Sequence, residues 1–412
     1  MDNNLFEFSV RDKFYIYDGN RGEIFDSDNF ISESGNYFED DQKDLIIRKH
    51  VPISEEEWKH GKVLNKIALS IAHTCNMSCT YCFADGGSYG AKKIMSKETA
   101  KDSIDYFFRY ASRSAPKYNI HFMGGEPLIN LDVFYFAVDY INSRAQEFGI
   151  PIRYTVSTNG TIMNENILEY IIKNNMHINF SIDGNQKIHD LNRKYINGNG
   201  SFRQVINTLE FIENHNYYNM TARMTVTKPG IRYLRSDIEY LWELGFYYIF
   251  FDLVKTDIKE LAVDDIDIHE LGKQLTKLID SDLYLARSKE GRYVRNFSDK
   301  EYLIEKKITR RECSYYNTNM LQVTPEGDLY KCPYTVGEKE HKCGNIYSRL
   351  EWEKYKGKFK ILDACNTCWA KRICGGGCGI DRDISRCSQN RIIIECALKH
   401  YVMNKKSCNA LI

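Results

Sequence analysis

The distribution of cysteine constrains this chain more than any other feature. Of its 13 cysteines, three sit close together (Cys75, Cys79 and Cys82) and the rest lie between Cys313 and Cys408. The opening Met1-Asp2-Asn3-Asn4 has neither the positive start nor the apolar core of a secretion signal, so the expectation is a cytoplasmic protein. In that reducing compartment clustered thiols mean metal ligands rather than disulfides. Charge narrows the partners. Lys plus Arg and Asp plus Glu each number 56, a zero balance that argues against a general nucleic-acid binder and against docking on an anionic membrane. No apolar run approaches the roughly 18 residues of a membrane-spanning helix.

Between Ile67 and Leu253 short apolar runs alternate with amphipathic segments. The strand candidates are Ile67–Ala72, Asn119–Met123, Arg153–Ser157, His177–Ile182, Ala222–Thr227 and Tyr247–Leu253. Ser96, Asn164 and Ser201 stand where N-caps belong, and another amphipathic stretch covers about 131–147. Ser236-x-x-Glu239, with Gly245 beyond it, predicts a capping box and a stop. Strands alternating with helices predict an α/β fold with a parallel sheet and right-handed crossovers. Six units make an incomplete (β/α)6 barrel over residues 65–264, with ligands at the carboxyl ends of the strands.

Residues 1–64 stand apart as a small N-terminal strand module. Phe6-Glu-Phe-Ser-Val and Phe14-Tyr-Ile-Tyr alternate loosely, and Asp18-Gly-Asn-Arg-Gly22 predicts a hairpin turn. Residues 27–60 are polar and weakly patterned. Residues 265–312 read as a charged helical bridge. Residues 313–412 are rich in Cys and Gly and poor in periodic apolar positions, which predicts a domain folded around metal.

Cys75-Asn-Met-Ser-Cys79-Thr-Tyr-Cys82 follows the first strand, so three thiolates occupy a loop at the sheet's carboxyl edge. Three ligands suit a [4Fe–4S] cluster with one open iron; with His73 as a fourth they suit zinc. The C-x3-C-x2-C spacing, with Tyr81 before the last cysteine, resembles the signature of the radical S-adenosylmethionine (SAM) superfamily. Later strand ends extend the resemblance in order. His121-Phe-Met-Gly124-Gly125-Glu126-Pro127 is similar to the motif that binds the SAM amino group. Ser157-Thr-Asn159-Gly160 and Ser181-Ile-Asp183-Gly184 are similar to the motifs near its ribose and methionyl parts. Arg193 stands where related enzymes place a basic partner for the SAM carboxylate, which a guanidinium fork matches. Taken singly these are turns and an exposed ion pair. Together they imply that SAM chelates the open iron and, once an electron arrives, yields a 5′-deoxyadenosyl radical.

The second set reads Cys313-x13-Gly327-x4-Cys332, then Cys365-x2-Cys368-x5-Cys374-x3-Cys378-x17-Cys396. A zinc ribbon is one reading of such pairs. The full spacing resembles the seven-cysteine SPASM pattern of peptide-modifying radical SAM enzymes. That resemblance implies two auxiliary clusters, three [4Fe–4S] clusters in all. Cluster II takes Cys365, Cys368, Cys374 and Cys396; cluster I takes Cys313, Cys332 and Cys378. Sulfatase-maturing enzymes complete cluster I with a cysteine six residues after the first, where this chain has Asn319. Either Cys343 completes the cluster or one iron is open to a substrate thiolate. Cys387 and Cys408 read as plain thiols.

Sulfatase-maturing enzymes also carry an Asp directly after the second of these cysteines, as a candidate base; here the residue is Pro333. Cys332-Pro-Tyr and Cys368-Trp369-Ala-Lys-x-x-Cys374-Gly-Gly-Gly-Cys378 most resemble the SCIFF maturases, which build sulfur-to-carbon thioethers in cysteine-rich precursor peptides. The resemblance implies a ribosomal precursor peptide with a leader as partner, and a flavodoxin- or ferredoxin-type reductant. That family begins with a winged-helix leader-recognition domain, for which residues 1–64 are too few. They read either as a reduced module whose edge takes a peptide strand, or as packing on the barrel. The alternatives are an enzyme that makes carbon–carbon links or oxidises a Cys or Ser side chain, and a non-catalytic iron–sulfur carrier or zinc scaffold.

Overall fold

The computed structural model describes residues 4–10, 13–26, 64–309, 313, 319–351, 362–380 and 385–409. The polar stretch 27–60 and the Cys408 side chain lie outside the described residues. Three antiparallel strands come first: β1 (Leu5–Val10), β2 (Lys13–Asp18) and β3 (Glu23–Asp26), in the order β1-β2-β3. Asp18 organises the turn between β2 and β3, its Oδ1 accepting from the backbone of Asn20 and Arg21. Alternation along β1 and β2 turns Phe6, Phe8, Tyr15 and Tyr17 toward apolar neighbours. Phe6 stacks on Trp369 with ring centroids 4.0 Å apart, and Tyr17 meets the same indole edge-on. Gly19 packs so closely that a Cβ there would lie 2.1 Å from the Trp369 carbonyl oxygen. Arg372 donates to the Asn20 carbonyl at 3.3 Å. The first residues of the chain are thus clamped onto the loop between Cys368 and Cys374.

The main sheet is mostly parallel. Its centre is β4 (Lys66–His73), β6 (Tyr118–Gly124), β7 (Ile152–Thr158), β8 (His177–Ser181), β9 (Met220–Val226) and β10 (Tyr248–Leu253), with neighbours in chain order, while the short β5 (Lys93–Ile94) pairs antiparallel with β4. All six expected strands are present. The connections carry α1 (Lys97–Tyr110), α2 (Leu131–Phe148), α3 (Glu165–Lys173), α4 (Gln186–Asn192), α5 (Phe202–Asn214) and α6 (Leu234–Glu243). Ser96 and Asn164 cap α1 and α3 as expected. Two caps differ. The Ser201 hydroxyl is drawn into the site, bonding His189 Nε2 and the Arg193 carbonyl, and makes no cap bond. A 3-10 turn, Lys228–Tyr233, runs straight into α6, so Ser236 falls inside the helix and donates to the Tyr233 carbonyl. The capping box forms instead at Asp264 and Asp267, opening α7 (Asp265–Ile279).

The bridge is helical through α7, α8 (Asp282–Lys289) and α9 (Arg295–Glu305), but it also adds β11 (Tyr293–Val294) parallel to β10. At the other edge β12 (Met320–Val323) pairs parallel with β4, and β13 (Leu329–Tyr330) pairs antiparallel with β12. The cysteine-rich region is therefore part of the main sheet. Each of these strands is short, which is why no period was visible. Beyond the short α10 (Lys371–Cys374), α11 (Ser385–Asn409) buries Ile393, Ile394, Ala397 and Leu398. No helix among the described residues is long and apolar enough to cross a membrane.

Candidate active site

The carboxyl ends of the parallel strands open on a cavity of about 480 Å³. Cys75, Cys79 and Cys82 line it from the loop after β4. Burial pushes the Cys75 thiol up to about 12 and the Cys79 thiol up to about 11. A bound cation offsets that cost by taking the thiolates as ligands. The Cys75 sulfur already accepts from the Met77 backbone at 3.4 Å and from Asn159 Nδ2 at 3.7 Å.

The Gly124-Gly125 turn is laced against this loop. Gly125 N donates to the Ala72 carbonyl at 2.8 Å and Glu126 N to the Thr74 carbonyl at 2.9 Å. Gly124 takes φ +136°, and a Cβ on Gly125 would lie 2.2 Å from the Thr74 oxygen. Only glycine allows so close a backbone approach.

Of the residues expected to contact SAM, Tyr81, Gly124, Gly125, Ser157, Asn159, Ser181 and Arg193 line the cavity. Glu126 and Asp183 do not, because their carboxylates are turned into the protein and saturated there. Glu126 accepts from Leu128 N, from Thr158 Oγ1 and, at 2.7 Å, from Asn159 N. It ties the β6 turn to the end of β7. Asp183 accepts from Tyr81 OH at 2.6 Å, from Thr225 N at 2.9 Å and from Arg193 Nη2 at 3.1 Å. Arg193 also lies over the Tyr81 ring at 5.4 Å. Its Nε is buried with no partner among the described residues. The fork is half used, which leaves guanidinium donors of the kind that suit a carboxylate.

Burial raises the Glu126 carboxyl to about 7, against the lowering effect of its three donors. The folded state then holds this proton more tightly than the unfolded chain. The stabilisation is complete below the ordinary carboxyl range and is lost as pH rises through about 7. The expected size is about 3 kcal/mol between pH 4.5 and 7. The thermal midpoint of the iron-loaded, SAM-free protein should fall relative to that of its Glu126→Gln variant as pH rises. Parallel midpoints across that range would contradict the assignment.

Sequence reading missed part of the wall. His121 Nε2 and Ser157 Oγ share a bond of 2.7 Å, and burial holds the imidazole down at about 4. Asn76 links Asn159 to Thr161, fixing the cysteine loop to the end of β7. Arg223, in the middle of β9, and Asp252, near the carboxyl end of β10, pair at 2.9 Å. Tyr334 lies tilted against Phe83 with ring centroids 4.3 Å apart, and both line the cavity. The one legible signal was Asp252, a charge ending an otherwise apolar strand.

The second cysteine set falls into two neighbourhoods. Burial pushes the Cys332 thiol up to about 11, with Cys313 and Cys378 adding to it. The buried Cys343 approaches the His341 carbonyl at 3.4 Å and, with Cys313 and Cys332, acts on the buried Lys331. Elsewhere Cys365 is raised by burial and then by Cys387 and Cys368. Cys396, placed by its spacing with Cys365, is held by α11 in the core beside Asp280 and Tyr284. Nine residues of α-helix put Cys387 and Cys396 on opposite faces, about 13 Å apart along the axis.

A family model for the radical SAM superfamily matches residues 69–234. An uncharacterised protein of Methanocaldococcus jannaschii is 30% identical over 275 residues, covering 66% of this chain and 86% of that protein. A cysteine-type anaerobic sulfatase-maturating enzyme of Clostridium perfringens is 23% identical over 354 residues, covering 81% of this chain and 91% of the enzyme. The solved structure of native anSMEcpe with bound AdoMet and Cp18Cys peptide has the same fold, with a TM-score of 0.69, 21% identity and coverage of 83% of this chain and 99% of that one. With three thiols on one cavity at the sheet's carboxyl edge, these similarities make the chain a member of the radical SAM superfamily. It is an enzyme whose relatives modify peptides and proteins, in a family that binds a [4Fe–4S] cluster and SAM. The residues present fit both: three sulfur donors for the cluster and the orphaned Arg193 nitrogen for SAM.

Proposed function

We propose that this enzyme matures a ribosomally synthesised precursor peptide by closing intramolecular thioethers between cysteine sulfur and carbon. One observation carries the reading. The cavity of Cys75, Cys79 and Cys82 is walled on its far side by Pro333 and Tyr334, directly after Cys332. A substrate in it lies between the two cysteine sets. When bound, the cluster and SAM supply a 5′-deoxyadenosyl radical that removes a hydrogen atom from the substrate. Arg193 orients the SAM carboxylate, Tyr81 and Asp183 hold Arg193 in place, and the glycine turn lets the backbone approach the ligand. Tyr334 and Phe83 exclude water.

The reading includes two auxiliary clusters. Cluster I rests on Cys313, Cys332 and Cys378, with Cys343 as the fourth donor. Cluster II rests on Cys365, Cys368 and Cys374, with Cys387 in place of Cys396, since α11 can offer only one of the two to that loop. Cys387→Ala should cost about four of roughly twelve irons, while Cys396→Ala keeps them and loses about 1 kcal/mol of packing. Iron analysis with the opposite result restores Cys396. The N-terminal sheet serves as the docking edge for the leader, and a flavodoxin or ferredoxin as reductant.

The test is anaerobic reconstitution with SAM, a strong reductant and a cysteine-rich candidate precursor peptide. Mass spectrometry should show paired hydrogen loss, with the same thiols resistant to alkylation. Hydrogen loss with every thiol free sinks the thioether in favour of a carbon–carbon link. A second reading, oxidation of a Cys or Ser side chain, draws on the sulfatase-maturating relative. It predicts one carbonyl-bearing residue and no cross-link.

A further inference from the structure

Cross-linking and side-chain oxidation share one requirement. Each removes two hydrogens from the peptide, one of them as a proton, so the cavity needs a group to accept it. Pro333, directly after Cys332, offers none. The titratable groups on the wall leave few choices. Tyr334 is pushed up to about 12 by burial and stays protonated. Arg193 and Arg223 carry no acceptor. His121 Nε2 is already engaged with Ser157. Among the described residues lining the cavity, Asp252 is the one carboxylate.

Its placement suits the task. Asp252 sits at the carboxyl end of β10, the last of the central strands, beyond the residues expected to hold SAM. Only Oδ2 is bonded, to Arg223 Nη2 at 2.9 Å. Oδ1 has no hydrogen-bond partner among the described residues, and the side chain keeps 49% of its exposure. Arg223 is braced in turn over the Phe250 ring at 4.1 Å. One carboxylate oxygen is thus fixed by an oriented guanidinium, and the half-exposed side chain lines the cavity together with Tyr334 and the cysteine loop.

Resting on the maturase reading above, we infer that Asp252 is the proton acceptor for the substrate thiol, oriented by Arg223. The sulfur–hydrogen bond breaks, a bond forms between that proton and Asp252 Oδ1, and the electron pair stays on sulfur. As that sulfur bonds the carbon radical, the one surplus electron passes to an auxiliary iron–sulfur cluster of the maturase reading, the electron acceptor that this step requires. The substrate residue at this position is a cysteine whose side chain reaches between Tyr334 and the Arg223–Asp252 pair. Asp252 touches the reacting thiol; Arg223 is a positioning residue.

The test compares wild type with Asp252→Asn at equal iron content, using the same cysteine-rich candidate precursor peptide. The quantity read is modified peptide per 5′-deoxyadenosine. The ratio should fall at least tenfold in the variant. In D2O the variant should also return unmodified peptide carrying one deuterium, because the carbon radical is quenched instead of trapped. Equilibrium affinities for SAM and for the peptide should stay within about threefold of wild type, which separates a proton acceptor from a wall residue. Should the Asn variant not accumulate with iron, Asp252→Ser, equally unable to hold the charge, is read the same way. Arg223→Lys should lower the ratio less than the Asn variant does. An unchanged ratio in Asp252→Asn overturns the inference, as does loss of SAM affinity there, which would make Asp252 a SAM ligand. If wild type itself yields deoxyadenosine but no modified peptide, the maturase reading fails first, and the inference with it.

Discussion

Asp183→Asn should lower the thermal midpoint by roughly 10 °C, the equivalent of about 3–5 kcal/mol for a buried charge stripped of its partner. The carboxylate is fully buried and holds Arg193, Tyr81 and the Thr225 backbone at once. An amide cannot neutralise Arg193, so the guanidinium remains as a buried uncompensated charge. The loss should reach function too. Arg193 and Tyr81 both line the cavity, and a shift of about 1 Å in such groups costs roughly a hundredfold in rate. The control is the double variant Asp183→Leu with Arg193→Met, which removes both charges. Its midpoint should lie above that of Asp183→Asn although two residues have changed. A double variant less stable than the single one would show that shape, and not charge, dominates here.

Gly125→Ala should abolish iron loading at Cys75, Cys79 and Cys82. The added methyl would stand 2.2 Å from the Thr74 carbonyl oxygen and 3.1 Å from the Cys75 nitrogen. Both are backbone atoms, so no rotamer relieves the clash. The glycine turn and the cysteine loop must separate, breaking the bonds from Gly125 and Glu126 to the Ala72 and Thr74 carbonyls. Overpacking of this kind costs about 1–3 kcal/mol, enough to keep most of the protein folded while the three sulfurs diverge. Iron analysis and the electron paramagnetic resonance signal of the reduced, SAM-bound cluster would show it. Normal loading would mean that the loop is far more compliant than its bonding indicates.

These two sites mark what sequence could and could not convey. The strands were legible because each is an apolar run bounded by turn residues, and the cysteine loop because its spacing is a chemical requirement. Asp183, Gly124 and Gly125 were visible as motif letters, yet their work was not. The same Asp-Gly can contact a ligand or brace the residue that does, and only the third dimension shows the Asp183 carboxylate turned inward. Asp252, Arg223 and Tyr334 come from three separate segments whose meeting no local pattern encodes. Cys387 and Cys396 illustrate the opposite failure. The spacing resemblance implies Cys396, whereas the neighbourhood of Cys365 favours Cys387, and a continuous helix sets the two sulfurs a half-turn apart, so the iron analysis of their variants decides between them.

The clamp of Phe6, Tyr17 and Gly19 on Trp369 also fixes an order in time. The hairpin leaves the ribosome about 350 residues ahead of its docking surface, roughly twenty to seventy seconds earlier at ordinary rates of synthesis. A three-stranded sheet on its own is marginal in water, so its aromatic face waits uncovered. On the two-auxiliary-cluster reading, the surface it waits for is a loop between candidate metal ligands that would take shape with iron delivery, and the yield of this protein would then follow the supply of iron–sulfur clusters as well as its own transcript.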